Sequence, residues 1–231
     1  MTITVDPGET SDLRSYGRRR GRKASPRQEA LFRELLPTLA ASPANAALIA
    51  QTARERGGLW LEIGFGGGEH LLWQARHHPD VMLIGAEPFE DGVVKVLSAI
   101  EAEGLANIRL FADDVRPLIR ALPDASVDRA FVLFPDPWPK RKHQKRRLVA
   151  RPLLDLLARV LKPGAELRVA TDIGDYARTM LIALMPHPAF HWTAESPADW
   201  RVRPPDWPPT RYEQKALREG RRGYFFTFRR V

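Results

Sequence analysis

Cysteine is absent from the 231 residues. That absence excludes disulfides, thiolate metal sites and a cysteine nucleophile, and it suits a reducing cytoplasm. No apolar run reaches the roughly 18 to 20 residues needed to span a bilayer. No apolar segment follows a basic start at the N-terminus, so secretion is not expected. Internal repeats are missing as well, and nothing points to a second core or to an obligatory protein partner. The expectation is a cytoplasmic protein without a membrane segment.

What the chain does have is positive charge. The formal net charge is +8 and the pI about 10.2. Such a balance favours an anionic partner, most often nucleic acid. The charge is also clustered. One run holds Arg14, Arg18, Arg19, Arg20, Arg22 and Lys23, a second extends from Lys140 to Arg147, and a third holds Arg218, Arg221, Arg222, Arg229 and Arg230. Residues 1–26 are polar and show no periodicity, which predicts a disordered basic arm. Its role, whether phosphate contact or solubility, is left open by composition. Residues 27–231 are expected to form a single domain.

From residue 28 onward the hydrophobic periodicity is regular. Gln28 to Leu39 and Ala44 to Arg56 read as helices, with Pro37 expected to end the first. Leu59–Ile63 is a short apolar strand, followed by Gly64-Phe65-Gly66-Gly67-Gly68 and a helix over 69–76. Further strands are predicted at 81–87, 107–112, 127–134 and 166–170. Helices are predicted at 89–103, 115–122 in part, 147–161 and 176–185. Residues 186–209 are irregular. Thr210 begins a short basic helix, and 224–230 forms a last strand. Five alternations of apolar strand and helix indicate an α/β protein with a doubly wound, mostly parallel sheet.

In such sheets ligands bind at the carboxyl ends of the strands. Those ends carry Glu62, Glu87, Asp114, Asp136 and Asp172. One such acid would be an ordinary helix cap; five at one edge of a basic protein point to a site. The glycine turn after the first strand suits close approach of a ligand to the backbone. A dinucleotide fingerprint would place a third glycine at position 69, where this chain has Glu69. A carboxylate there opposes a pyrophosphate at the helix N-terminus, so a nicotinamide cofactor is disfavoured. S-adenosylmethionine carries a sulfonium and an amino group and no phosphate, so it tolerates acids such as Glu62. Glu87 is placed to accept from ribose hydroxyls, and Asp114 to meet the adenine amino group.

The stretch from Phe134 to Arg147 sets a carboxylate, Asp136, among three prolines and Trp138, then adds the second basic run. Asp136 reads as a reaction-site acid and the basic run as a hold on a polyanion. Trp138 either stacks on a base or packs internally. His143 has no second histidine at a ligand spacing, so no metal is expected.

Several segments together resemble the bacterial tRNA (guanine-N7-)-methyltransferases. They are Glu62-Ile63-Gly64-Phe65-Gly66-Gly67-Gly68, Gly85-Ala86-Glu87, Phe134-Pro135-Asp136-Pro137-Trp138-Pro139-Lys140, His143, Lys145-Arg146-Arg147, Thr171-Asp172 and Thr210-Arg211-Tyr212-Glu213. The likeness runs from about residue 59 to the C-terminus. It departs mildly at Lys142, where arginine is expected, and at Ala86, where isoleucine or valine is usual. The resemblance implies a Rossmann-like, class I S-adenosylmethionine-dependent fold and methyl transfer to guanosine at position 46 of the tRNA variable loop. It implies a cofactor pocket of Glu62, Gly64, Glu87, Asp114 and Asp136, with Asp136 catalytic. It places substrate contacts on Lys140, Asp172, Thr210, Arg211, Tyr212 and Glu213. RNA contacts are implied at Lys142, His143, Gln144, Lys145, Arg146 and Arg147. For Glu213 the residues alone allow two roles, a wall of the base pocket or the third position of a helix capped by Thr210. Two other functions remain open on the residues: a methyltransferase for protein or a small molecule, and an RNA-binding module with a degenerate pocket.

Overall fold

A computed structural model describes Arg19, Gly21 and residues 24–231. Most of the predicted basic arm lies outside the described residues. The first helical segment runs as α1 (Pro26–Ala30), a π-helical turn at Leu31–Leu35 and α2 (Leu36–Leu39). Pro37 does not end it, contrary to expectation: the wide turn ahead already sends the Leu36 N–H to Leu31 O, so the missing proline donor falls at the start of a renewed helix. Next comes α3 (Ala46–Arg54). Strands and helices then alternate as β1 (Leu59–Ile63), α4 (Glu69–His77), β2 (Met82–Ala86), α5 (Glu90–Glu103), β3 (Ile108–Phe111), α6 (Val115–Ala121) and β4 (Val127–Leu133). A 3₁₀ turn at Arg141–Arg146 precedes α7 (Arg151–Val160), β5 (Leu161–Thr171) and α8 (Gly174–Leu184). The chain finishes with β6 (Phe190–Trp192), α9 (Ala198–Arg201), α10 (Arg211–Arg218) and β7 (Tyr224–Arg230).

The seven strands form one sheet in the order β3-β2-β1-β4-β5-β7-β6. The first five are mutually parallel, whereas β7 runs antiparallel to both β5 and β6. Chain order reverses between β1 and β4, which opens a crevice at their carboxyl ends. Alternation along β1 serves both faces. Leu61 and Ile63 join a core with Ile84, Val132 and Val169 on one side, and Trp60 joins Leu83, Leu97 and Phe131 on the other.

Two predicted boundaries shift. The helix expected from Arg147 begins at Arg151, because the basic run forms its own 3₁₀ turn and Pro152 fits only a first helical turn. The strand expected at 166–170 extends over Leu161–Thr171. The segment read as irregular contains β6 and α9, elements of three and four residues, too short for a periodic signal.

Helix α5 crosses the glycine loop at Gly92. A Cβ there would sit 2.1 Å from the carbonyl oxygen of Gly66, a backbone atom that cannot swing aside. Gly92→Ala is therefore expected to destabilise the protein by about 1–3 kcal/mol through overpacking, read as a lower midpoint in urea unfolding.

Candidate active site

The cavity at the chain reversal has a volume of about 430 Å³ and is framed by the ends of four strands. Gly64 closes β1 with φ +75° and open space where a Cβ would project, so the backbone offers a bare face to a ligand. Glu87 follows β2. It is buried, and its carboxylate accepts from Gly66 N (2.8 Å) and Phe89 N (2.9 Å). Burial raises its pKa against the lowering effect of those two bonds. Asp114 follows β3 and caps α6, accepting from Arg116 N at 3.0 Å and from Arg116 Nε at 2.8 Å. The cap reading and the pocket reading of Asp114 thus hold together.

Asp136 stands on the cavity rim, three residues after β4 ends at Leu133, and it too lines the space. Its surface is open to the cavity, yet the surrounding protein desolvates the carboxyl and raises its pKa. The loop that carries it is bent at both ends. Phe134 (φ 51°) and Trp138 (φ 42°) occupy the left-handed region, at a cost of order 1–3 kcal/mol each. Packing holds both. Phe134 N–H donates to Ala170 O at 2.8 Å, and its ring meets Phe225 edge-on. Trp138 lies edge-on to His143 at 5.9 Å and beneath the Arg146 guanidinium at 4.9 Å. Trp138 therefore packs against the basic turn that follows it.

Arg147 departs from its predicted role. It is 5% exposed, not a surface cation. Its Nε donates to Pro137 O at 3.0 Å, its two terminal nitrogens donate to Thr179 Oγ1 and Asp175, and it lies over the Tyr176 ring at 4.9 Å. It clamps the Asp136 loop to α8. Burial pushes Tyr176 up to about 12. Lys145 and Arg146 line the cavity, while Lys140 and Lys142 are exposed outside it. Gln144 reaches Asp175 at 3.3 Å. The neighbouring cations and partial desolvation, the latter the larger effect, lower the pKa of His143.

Three more predicted residues fall elsewhere. Glu62 is buried under the loop, with its carboxylate 2.7 Å from His70 Nδ1, and does not line the cavity. Asp172 accepts from Arg221 Nε at 2.7 Å, also outside the cavity. Glu213 is buried and takes Arg203 Nε at 3.1 Å, while its N–H donates to Thr210 Oγ1 at 3.2 Å. The cap reading of Glu213 is what the geometry contains; its carboxylate supports the 203–207 segment and forms no cavity wall. Tyr212, by contrast, does fold back over the glycine loop. It lines the cavity and would lie 3.1 Å from a Cβ at Gly66. Its neighbour Arg211 comes within 3.6 Å of Glu69.

Sequence reasoning did not single out Asp113, Arg116, Leu148 or Leu153 as lining residues. The helical period of α7 carried Leu153, but which face of α7 meets the cavity is set by the sheet. Arg19, from the predicted arm, pairs with Asp113 at the cavity edge. Among the described residues there is no group of three or more His, Asp or Glu able to hold a metal, and no helix long and apolar enough to cross a membrane.

A parallel sheet with β7 inserted antiparallel, a glycine loop after β1 and an acid after β2 define the class I methyltransferase fold. Solved structures agree on the fold: TrmN from Thermus thermophilus (TM-score 0.54, 19% identity, 83% of this chain and 49% of that one) and the 16S rRNA (adenine(1408)-N(1))-methyltransferase of Catenulisporales acidiphilia (0.51, 17%, 83% and 92%). The family model described as "Putative methyltransferase" matches residues 57–226. Curated relatives named tRNA (guanine-N(7)-)-methyltransferase include those of Rhodospirillum rubrum, 50% identical over 96% of this chain and 89% of the relative, and Rhizobium meliloti, 48% identical over 99% and 100%. The chain belongs to the tRNA (guanine-N7-)-methyltransferase family.

The clamp generates a prediction. Arg147→Met should cost roughly 1.5–3 kcal/mol, the scale of hydrogen bonds to a charged group. Urea unfolding measures that loss, and Lys142→Met, at an exposed position, should leave the midpoint unchanged within about 0.5 kcal/mol.

Proposed function

We propose that this enzyme transfers the methyl group of S-adenosylmethionine to N7 of a guanosine in tRNA, at position 46 of the variable loop. The observation that carries the reading is the convergence of Glu87, Asp114 and Asp136 on one cavity, with Lys145 and Arg146 on its wall. The donor set fits a cationic ligand rich in hydroxyls. Glu87 and Asp114 offer acceptors to ribose and adenine, and Gly64 leaves room for the backbone to touch the ligand. When bound, S-adenosylmethionine supplies an electrophilic methyl group on a sulfonium. Lys140, Asp172, Thr210, Arg211 and Tyr212 remain the proposed substrate-side residues of the family pattern, and Glu62 the proposed deeper member of the cofactor site.

The work of the protein follows from the chemistry of guanine. N7 carries an in-plane lone pair, and no proton has to leave before it attacks. Positioning thus matters more than general base catalysis. Attack forms the N7–CH₃ bond as the S–CH₃ bond breaks, and positive charge moves from sulfur to the purine. The Asp136 carboxylate, on the cavity rim, offsets that developing charge. It also accepts hydrogen bonds from the N1 and N2 donors of guanine, which favours guanine over adenine. The exposed lysines and arginine at 140–142, with Lys145, grip phosphates without reading sequence. N7 of a stacked base lies in the deep major groove of RNA, so the target guanine leaves its stack to reach the cavity.

Methylation of unmodified tRNA, with the product mapped by cleavage at N7-methylguanosine, tests the reading. Wild type should modify one variable-loop guanosine, with free guanosine a very poor substrate. Asp136→Asn should lower kcat on the order of 100-fold or more; full activity in that variant rejects the assignment. Protonation removes the charge of both Asp136 and Glu87, and burial shifts both pKa values upward. Activity should therefore fall on acidification at a pH above the ordinary carboxylate range of about 4, as a pH–rate profile will read.

A further inference from the structure

The proposed cofactor acid Glu62 is buried in β1, and among the described residues the one hydrogen-bond partner of its carboxylate is His70 on α4, 2.7 Å away through Nδ1. His70 is itself 2% exposed and wedged edge-on between Phe131 (4.6 Å) and Trp207 (5.9 Å). Its other ring nitrogen, Nε2, lies 3.1 Å from Gln74 Nε2. That same Gln74 nitrogen is 2.9 Å from the carbonyl oxygen of Asp206. A carbonyl can only accept, so Gln74 must present its NH₂ there. The NH₂ then has a second hydrogen aimed at His70 Nε2, which must be an unprotonated acceptor. The proton of a neutral imidazole is thereby driven to Nδ1 and directed at Glu62.

The anchor of this relay is itself fixed. The Asp206 carboxylate accepts from Arg168 Nη1 at 2.7 Å and lies 3.7 Å from Arg129, and Trp207 is buried against Phe225. The 203–207 segment leads through Thr210 into Tyr212, which covers the glycine loop. We infer that His70 is a positioning residue: as the neutral Nδ1–H tautomer it fixes the buried Glu62 carboxylate beneath the glycine loop, behind the proposed site of the methyl donor. The order Asp206 carbonyl, Gln74, His70, Glu62 links the segment that leads into Tyr212 to this buried acid. The inference rests on the S-adenosylmethionine reading given above.

Calorimetry with S-adenosylmethionine on the full chain separates the two. Should wild type fail to bind, the cofactor reading falls. Given wild-type binding, His70→Gln, which loses the donor at the Nδ1 position, should weaken binding at least tenfold. His70→Asn, whose side-chain nitrogen can stand where Nδ1 stood, should restore affinity to within about threefold of wild type. In a Glu62→Gln background the His70→Gln change should add less than a twofold further loss. Equal binding by wild type and His70→Gln overturns the positioning role, as does a Glu62→Gln background in which the full tenfold loss persists. Should a variant not fold, nitrogen-15 NMR of the wild-type imidazoles still decides. A neutral Nδ1–H tautomer at His70 supports the relay, and an Nε2–H form or an imidazolium overturns it.

Discussion

The buried guanidinium of Arg147 is the interaction on which the active-site geometry depends. It binds the carbonyl of Pro137, reaches Thr179 and Asp175 on α8, and covers Tyr176. One cation thus ties the loop that presents Asp136 to a helix on the far side of β5. A buried charge is tolerated only when its hydrogen-bonding groups are satisfied. This requirement leaves the chain little freedom between Pro137 and Arg147. The backbone strain at Phe134 and Trp138 is held by neighbouring contacts, Ala170 and Phe225 for the first and His143 and Arg146 for the second. The turn between Trp138 and Arg147 then exposes Lys140, Arg141, Lys142 and Lys145 to solvent.

A second constraint acts from below. The glycine loop is pressed by α5 at Gly92, bound by the Glu87 carboxylate at Gly66, and overlaid by Tyr212. Two segments, the one from Glu87 to Gly92 and the start of α10, thus fix one loop. Each of the two Glu87 carboxylate oxygens accepts from a backbone N–H group, Gly66 on one and Phe89 on the other. For the proposed methyl donor, ribose hydroxyls would share an acid already aligned, which limits the reorganisation that binding requires. The 203–212 segment contributes to both levels, since it closes over the loop at Tyr212 and reaches Gln74 through Asp206.

Charge is divided between these regions. Acids collect at the strand ends and cations gather on the turn after β4, so the cavity of a protein of net charge +8 is lined by Glu87, Asp113, Asp114 and Asp136 on one side and by Lys145, Arg146 and Arg147 on the other. For the proposed reaction the division is useful. The acidic side suits a sulfonium and a purine that becomes cationic, and the basic side suits a polyanion. Salt should weaken the second far more than the first, because phosphate contacts release counterions.

Much of the fold was legible in the sequence. The alternation of apolar strands with helices set the parallel sheet, the glycine loop set the crevice, and Glu87, Asp114 and Asp136 were readable as acids following strands. These are local patterns, and local patterns survive without knowledge of packing. What the tertiary structure decided lies in direction and partnership. Glu62 belongs to the strand interior, so the two-residue period turns it into the core toward His70. Arg147 reads as one more cation in a basic run, and only the position of α8 makes it a buried clamp. Glu213 turns to Arg203, and Tyr212 to the glycine loop, because α10 starts just after the 203–207 segment, which is held on Gln74 and Arg168. Composition and spacing determine which residues gather at a strand end; long-range packing determines which of them face the cavity, since that depends on neighbours far along the chain.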